Sequence, residues 1–422
     1  MKNFIKNSPT KLTLIISLIL FFSNLIFAVS YISNCGTLST VGETYILTSN
    51  VSSTGTCFTI AADNVTLDCQ GYTINHTGSG SGISASGRTN ITIKNCNIIG
   101  QKVSNNYGIY FSSTTNSFIL NNNLSSNYYG IYLDSSSNNI LSNITASSNE
   151  YGIYLSSSSN NTLSNIPTSS NGGSGIYLSS SSNNTLSNIT TSSNTYNGIL
   201  LYSSSNNILS NITTSSNGGN GIYLASSSNN TLSNITTSSN YYGIYLYYSS
   251  NYNTLSNITA SSNYVGIYLY YSSNYNTLSN ITTSSNGYSG IVLYSSSNNL
   301  FFNNFFNNSN NVYFENSGEN FWNTTLNCSA GPNIVGGPCI GGNFYATPSG
   351  TGFSETCNDV KSPYGICDTQ YNLASNNVDY LPLTYPPIQL TSCGTLDKTG
   401  KTYLLIQNVT TSNDCFIINK SY

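Results

Sequence analysis

The sequence predicts an all-β parallel solenoid, one coil per repeat of 22–24 residues, with ends that differ from the middle. Three observations carry this expectation. The tripeptide Gly-Ile-Tyr, or a close variant, begins at Gly108, Gly130, Gly152, Gly175, Gly198, Gly221, Gly243, Gly266 and Gly290. Between these recurs the phrase TLSNIT, with its asparagine at Asn143, Asn165, Asn188, Asn211, Asn234, Asn257 and Asn280. Within GIYL, Ile and Leu stand two apart, so an extended strand sends both to one side and Tyr to the other.

Each unit therefore holds two short apolar pieces separated by Ser/Asn-rich corners. One such coil buries too few aliphatics (Leu255, Ile258, Ile267 and Leu269 in one case) to offset the entropy of ordering it, so neighbouring coils must stack. Helical periodicity is absent, and the Ser, Asn, Thr and Gly content disfavours helix, which excludes helical repeats. A leucine-rich repeat fails at its i+5 position, where Ala260, Thr214 and Thr237 stand in place of a large apolar residue. A prion-like low-complexity tract would have no reason to keep Ile and Leu in register through nine cycles.

Along the chain, residues 1–30 read as an export signal: Lys2, Lys6 and Lys11 precede an apolar run over residues 12–29, and Ala28 and Ser30 fit cleavage before Tyr31. The run also reaches spanning length, so an N-terminal anchor is the alternative. Residues 31–100 form an N-terminal cap and the first coils, with Gly82 in a looser turn of the same structure. Residues 101–300 are the regular repeats, and residues 301–384 are C-terminal coils and a closing region. Residues 385–391, with Pro386 and Pro387, read as a linker. From Cys393, CGTLDKTGKTYLLIQNVTTSNDCFII repeats the pattern CGTLSTVGETYILTSNVSSTGTCFTI of Cys35, so residues 392–422 start a second copy of the cap.

The ten cysteines avoid the repeats: Cys35, Cys57, Cys69 and Cys96 precede them, and Cys328, Cys339, Cys357, Cys367, Cys393 and Cys415 follow. In an exported chain these are disulfide candidates. Pairing between sequence neighbours is the simplest of the connectivities open to them. No CxxC or Cys/His spacing suggests a metal site, and His76 beside a Ser/Gly loop reads as ordinary surface.

Composition narrows the function. Charged residues are 5% of the chain and net charge is −3, so no basic surface suits nucleic acid. Between Val103 and Leu300 the only charges are Asp134 and Glu150, at different places in the repeat. Hydrolysis needs two converging carboxylates and lyase chemistry a base with a cation, so no catalytic residues are assigned and no cofactor is expected. Asp63 and Asp68 read as structural.

What repeats instead is tyrosine. Tyr110, Tyr132, Tyr154, Tyr177, Tyr223, Tyr245 and Tyr268 form an outward column, widened by Tyr241/Tyr264, Tyr247/Tyr270, Tyr248/Tyr271 and Tyr252/Tyr275. Tyrosine offers an apolar ring and a hydroxyl, suited to sugars or protein partners, or else the column simply strengthens the ladder. The candidate ligand-binding set is Tyr245, Tyr247, Tyr248, Tyr268, Tyr270 and Tyr271. The TLSNIT asparagines lie in Asn-x-Thr sequons at all but Asn165, and fit either a glycosylated surface or an inward amide ladder. NIPT at Asn165 keeps the asparagine without the sequon, which favours the ladder.

The repeated G-I-Y-L-x-x-S-x-x-N-x-L-x-x-N phrase resembles the coil of right-handed parallel β-helix proteins of the NosD-like family, with a pectin-lyase-like fold and archaeal surface members. GGNFY at 341–345, GICD at 365–368, YNL at 371–373 and VDYLPL at 378–383 resemble that family's closing segment, and CGTL…NVTLDCQGYTI its entry segment. The resemblance implies a right-handed parallel β-helix and, by its name, copper handling. Copper needs soft or imidazole ligands, and the chain has one Met (Met1) and one His. ETCNDVKSPYGICD also departs from the family's acid-rich loop, which puts an ion there in doubt.

The leading expectation is a secreted or cell-surface, non-catalytic β-helix, structural or adhesive, binding polysaccharide or cell-envelope glycans through its tyrosines. The alternatives are a β-helix polysaccharide lyase or glycoside hydrolase, and a NosD-like periplasmic metal-handling protein.

Overall fold

The computed structural model describes residues 28–397, 403–412 and 414–419. The expected signal at residues 1–30 lies outside them, apart from its last three residues. Val29 and Ser30 belong to the strand Val29–Ile32, which pairs with Thr44–Leu47.

The chain winds as a parallel β-helix. The GIYL strands stack coil on coil into a 13-stranded sheet running from Gly36–Leu38 to Val312–Glu315, and the TLSNIT segments build a 20-stranded sheet. All pairings among these coils are parallel and in register: Leu255 lies between Leu232 and Leu278, and Ile267 between Ile244 and Ile291. Leu255, Ile258, Ile267 and Leu269 are inside, at most 1% exposed. Ala260 and Thr237, the positions that argued against a leucine-rich repeat, also face inward.

The repeating glycine is a matter of space. A Cβ on Gly243 would lie 2.5 Å from the carbonyl oxygen of Gly266 and 2.4 Å from Thr237 Oγ1, closer than any side chain tolerates.

The TLSNIT strands, such as Thr254–Ser261, bend in the middle, where Asn257 has φ +54°. That left-handed corner turns the chain while Leu255 and Ile258 on either side stay inside, so the asparagine itself points out. Asn143, Asn165, Asn188, Asn211, Asn234, Asn257 and Asn280 are accordingly exposed, which corrects the inward-ladder expectation for them.

Inward ladders do exist, built by other asparagines. One runs through Asn139, Asn161, Asn184, Asn207, Asn230, Asn253, Asn276 and Asn299. In it the Asn253 backbone N–H donates to Asn276 Oδ1 at 2.8 Å and its Nδ2 to the same oxygen at 3.1 Å. A second runs from Asn127 through Asn149, Asn171 and Asn194 to Asn308, by the same contacts. Each side-chain oxygen satisfies a buried corner N–H that no strand pairing reaches.

His76 caps the second ladder and is fully buried, not on the surface. Asn106 Nδ2 donates to its Nδ1 at 3.2 Å, so Nε2 carries the proton and donates to Asn127 Oδ1 at 2.9 Å. The Ser/Gly stretch after it misled the surface expectation, because the ring turns inward, where Asn106 and Asn127 of the two following coils hold it.

Disulfides join Cys35–Cys57, Cys69–Cys96, Cys328–Cys339, Cys357–Cys367 and Cys393–Cys415. The closing region covers the last coils with aromatics: Trp322 stacks on Phe301 at 4.4 Å and donates from Nε1 to Asn377 Oδ1. Beyond it, Ile388–Leu390, inside the expected linker, pairs with Tyr403–Leu405, and Gly394–Leu396 with Phe416–Ile418. The first cap has the same arrangement, Ser30 opposite Tyr45 and Gly36 opposite Phe58. Among the described residues no helix is long and apolar enough to cross a membrane.

Candidate functional site

The outer face of the GIYL sheet carries tyrosine because the alternation that buries Ile and Leu leaves the residue between them outside. Strand register then aligns these residues from coil to coil: Tyr110, Tyr132, Tyr154 and Tyr177 in one run, and Tyr223, Tyr245 and Tyr268 in another. Leu200 separates the two runs.

All six candidate tyrosines meet in one cluster. Tyr245 lies 5.2 Å from Tyr268 and 5.6 Å from Tyr247, and Tyr247 lies 5.7 Å from Tyr270 and 6.0 Å from Tyr248, between ring centres. Tyr270 touches Tyr268 at 5.2 Å and Tyr271 at 4.1 Å. Sequence reading missed Tyr242 and Tyr294, which join this cluster, and a second one in which Tyr107, Tyr129 and Tyr151 run beside the Tyr110 column. The signal was present in YGIY, where a tyrosine precedes the glycine on the outward side.

Because the rings stack along the solenoid, many of their faces are covered by one another. Burial holds the phenols of Tyr245 and Tyr268 well above the usual range and pushes that of Tyr223 up to about 12. Tyr270 rises to about 12, chiefly through its hydrogen bond with Tyr271. These hydroxyls stay protonated near neutral pH, so the face is uncharged and offers both donors and acceptors.

Four tyrosines break a backbone rule. Tyr248, Tyr252, Tyr271 and Tyr275 have φ between +47° and +57°, at corners filled by Ser226 and Asn229 in the preceding coil. A bulky residue there costs about 1–3 kcal/mol. All four are exposed, from 43% to 60%, and their ring contacts are with other surface tyrosines, Tyr252 on Tyr275 at 5.2 Å and Tyr271 on Tyr270 at 4.1 Å.

The acids of the cap and of the repeats do not converge. Asp134 ends one GIYL strand, accepting from Tyr110 at 3.5 Å, and Glu150 precedes the next strand. Asp134 is opposite Ser156, six residues beyond Glu150. At about 3.3 Å per residue their backbones are roughly 20 Å apart, against the roughly 5–10 Å of a hydrolytic pair. Asp63 and Asp68 pair with Arg88 and Lys94. Among the described residues no group of three or more His, Cys, Asp or Glu could hold a metal.

Residues 187–350 match the family model described as periplasmic copper-binding protein (NosD), and residues 56–213 match that of the right handed beta helix region. Two solved structures are similar in fold, both Azotobacter vinelandii mannuronan C-5 epimerase A-modules. That of AlgE6 has 17% identity and a TM-score of 0.57 over 65% of this chain and 90% of its own. That of AlgE4 has 15% identity and a TM-score of 0.55 over 68% and 96%. No curated protein matches the chain in sequence.

The residues present do not fit copper. All ten cysteines are in disulfides, and both ring nitrogens of His76 are engaged inside the solenoid. The coil-by-coil register makes this chain a parallel β-solenoid, similar over residues 56–213 to the right handed beta helix region and over residues 187–350 to the NosD family.

Proposed function

We propose that the chain is an exported, non-catalytic β-helix, a rigid envelope, stalk or adhesion module whose tyrosine face binds neutral carbohydrate. The observation that carries this reading is the set of exposed tyrosines held at left-handed corners, where serine or asparagine would be less strained. Backbone strain kept in order to hold aromatic rings at the surface supports recognition. The uncharged hydroxyl rows beside them suit the hydroxyls of a sugar chain lying along the solenoid. Disulfides persist in oxidising compartments, which supports a secreted or cell-surface location. The exposed sequons support a glycoprotein.

The test is binding to a glycan array by the purified protein and by its Tyr248→Ser/Tyr271→Ser variant, which gives both left-handed corners the residue that Ser226 supplies in the preceding coil. We expect binding to neutral polysaccharide that falls at least tenfold in the variant. Unchanged binding, or none by either protein, overturns the recognition part of the proposal.

A further inference from the structure

Asn188, Asn211, Asn234, Asn257 and Asn280 form a single straight column on successive coils, each exposed and each in an Asn-Ile-Thr sequon. The intervening isoleucine is buried, while the threonines at 190, 213, 236 and 259 are exposed beside their asparagines. The column occupies the bend of the TLSNIT strands, in a different sheet from the tyrosines.

Side-chain pairing divides the column. Asn188 Nδ2 donates to Asn165 Oδ1 at 3.1 Å, and Asn280 Oδ1 accepts from Asn303 Nδ2. The side chains of Asn211, Asn234 and Asn257 make no hydrogen bond within the described protein. Their amides are free, exposed and presented at a corner.

We propose that this corner column carries asparagine-linked glycans on alternate rungs, an inference that rests on the glycoprotein reading. The donor is a lipid-pyrophosphate-linked oligosaccharide. The asparagine Nδ2 forms a bond to the anomeric carbon, the bond from that carbon to phosphate oxygen breaks, the lipid pyrophosphate leaves with the electron pair, and one amide proton is lost.

Alternation follows from the stacking distance. Adjacent rungs are about 4.8 Å apart, one strand spacing. A pyranose bearing its exocyclic substituents and a branched extension is broader than that, so glycans on adjacent rungs collide. Two rungs give about twice the room. The chain then carries its glycans on one sheet and leaves the tyrosine sheet uncovered.

The test uses a host with an oligosaccharyl transferase and a set of variants that remove sequons through the threonine, which leaves the left-handed asparagine in place. Thr190→Val, Thr213→Val, Thr236→Val, Thr259→Val and Thr282→Val are combined so that the column keeps no sequon, Asn234 alone, Asn257 alone, Asn234 with Asn257, or Asn211 with Asn257. Between Lys102 and Lys361 there is no Lys or Arg, so trypsin leaves the column in one fragment whose mass counts its glycans. Sequons elsewhere in the fragment are common to all variants and cancel.

Each single-rung protein is expected to carry one glycan more than the variant with none. The Asn211/Asn257 pair should add a second, and the adjacent Asn234/Asn257 pair should not. A second glycan on the adjacent pair overturns the alternation and keeps the glycoprotein reading. No gain with any single rung overturns both. Circular dichroism of each variant checks that the solenoid is intact, and Thr→Ser at the same positions should restore the glycans.

Discussion

His76 and Asp379 are buried titratable groups at opposite ends of the solenoid, and they pull stability in opposite directions with pH. Burial lowers the pKa of His76, whose ring nitrogens are both committed to asparagines. The unfolded chain takes up that proton below about pH 6.5 and the folded chain resists it, so this contribution is lost as pH falls. Asp379 is pushed up to about 7 by burial, against the hydrogen bonds it accepts from Asn343, Leu381 and Tyr345. Between about pH 4 and 7 the folded state holds a proton that the unfolded state has released, so this contribution is lost as pH rises. Denaturant midpoints at pH 5 and 7.5 should therefore shift apart in the two variants. His76→Leu should lose less stability on acidification than the parent, and Asp379→Asn should lose more. Equal slopes in all three proteins would refute the assignment.

At the level of the coil, the strands are ordinary and the corners are unusual. Strand pairing satisfies the backbone of GIYL and TLSNIT, and the turns between them depend on asparagine side chains. Asn253 Oδ1 accepts from both the N–H and the Nδ2 of Asn230, and Asn253 donates onward to Asn276. Asn253→Ala leaves the buried N–H of Asn230 without its partner and should cost about 1–3 kcal/mol. Chemical denaturation measures this, with Thr254→Ala, at an exposed neighbouring position whose side chain makes no hydrogen bond within the described protein, as the comparison. A loss no greater than the comparison would show that the ladder is dispensable. Which asparagines form it could not be read from the sequence. Each coil offers several, all short amides in Ser/Asn-rich corners, and the choice depends on which one the left-handed bend turns outward.

Over the whole molecule, cross-links are confined to the ends. The five disulfides lie in residues 35–96 and 328–415, and the regular coils between have none. In a solenoid each coil contacts only its neighbours, so loosening an end need not propagate. After reduction and alkylation, hydrogen exchange should rise in residues 31–96 and 328–384. The strands from Tyr151–Ser156 to Ser289–Tyr294 should stay protected. Loss of protection along the entire chain would mean that the caps hold the middle together.

The sequence by itself determined the coil length, the parallel register and the inward aliphatics such as Leu255 and Ile267. It also made tyrosine the outward residue of the GIYL strand. These follow from local alternation and a repeat that cannot bury its core alone. Tertiary structure alone decided the rest: that Asn257 faces out while Asn253 faces in, that His76 is buried, and that tyrosine rings cover one another. Those outcomes depend on the direction of a left-handed corner and on what the next coil places about one strand spacing away, neither of which the one-dimensional pattern contains.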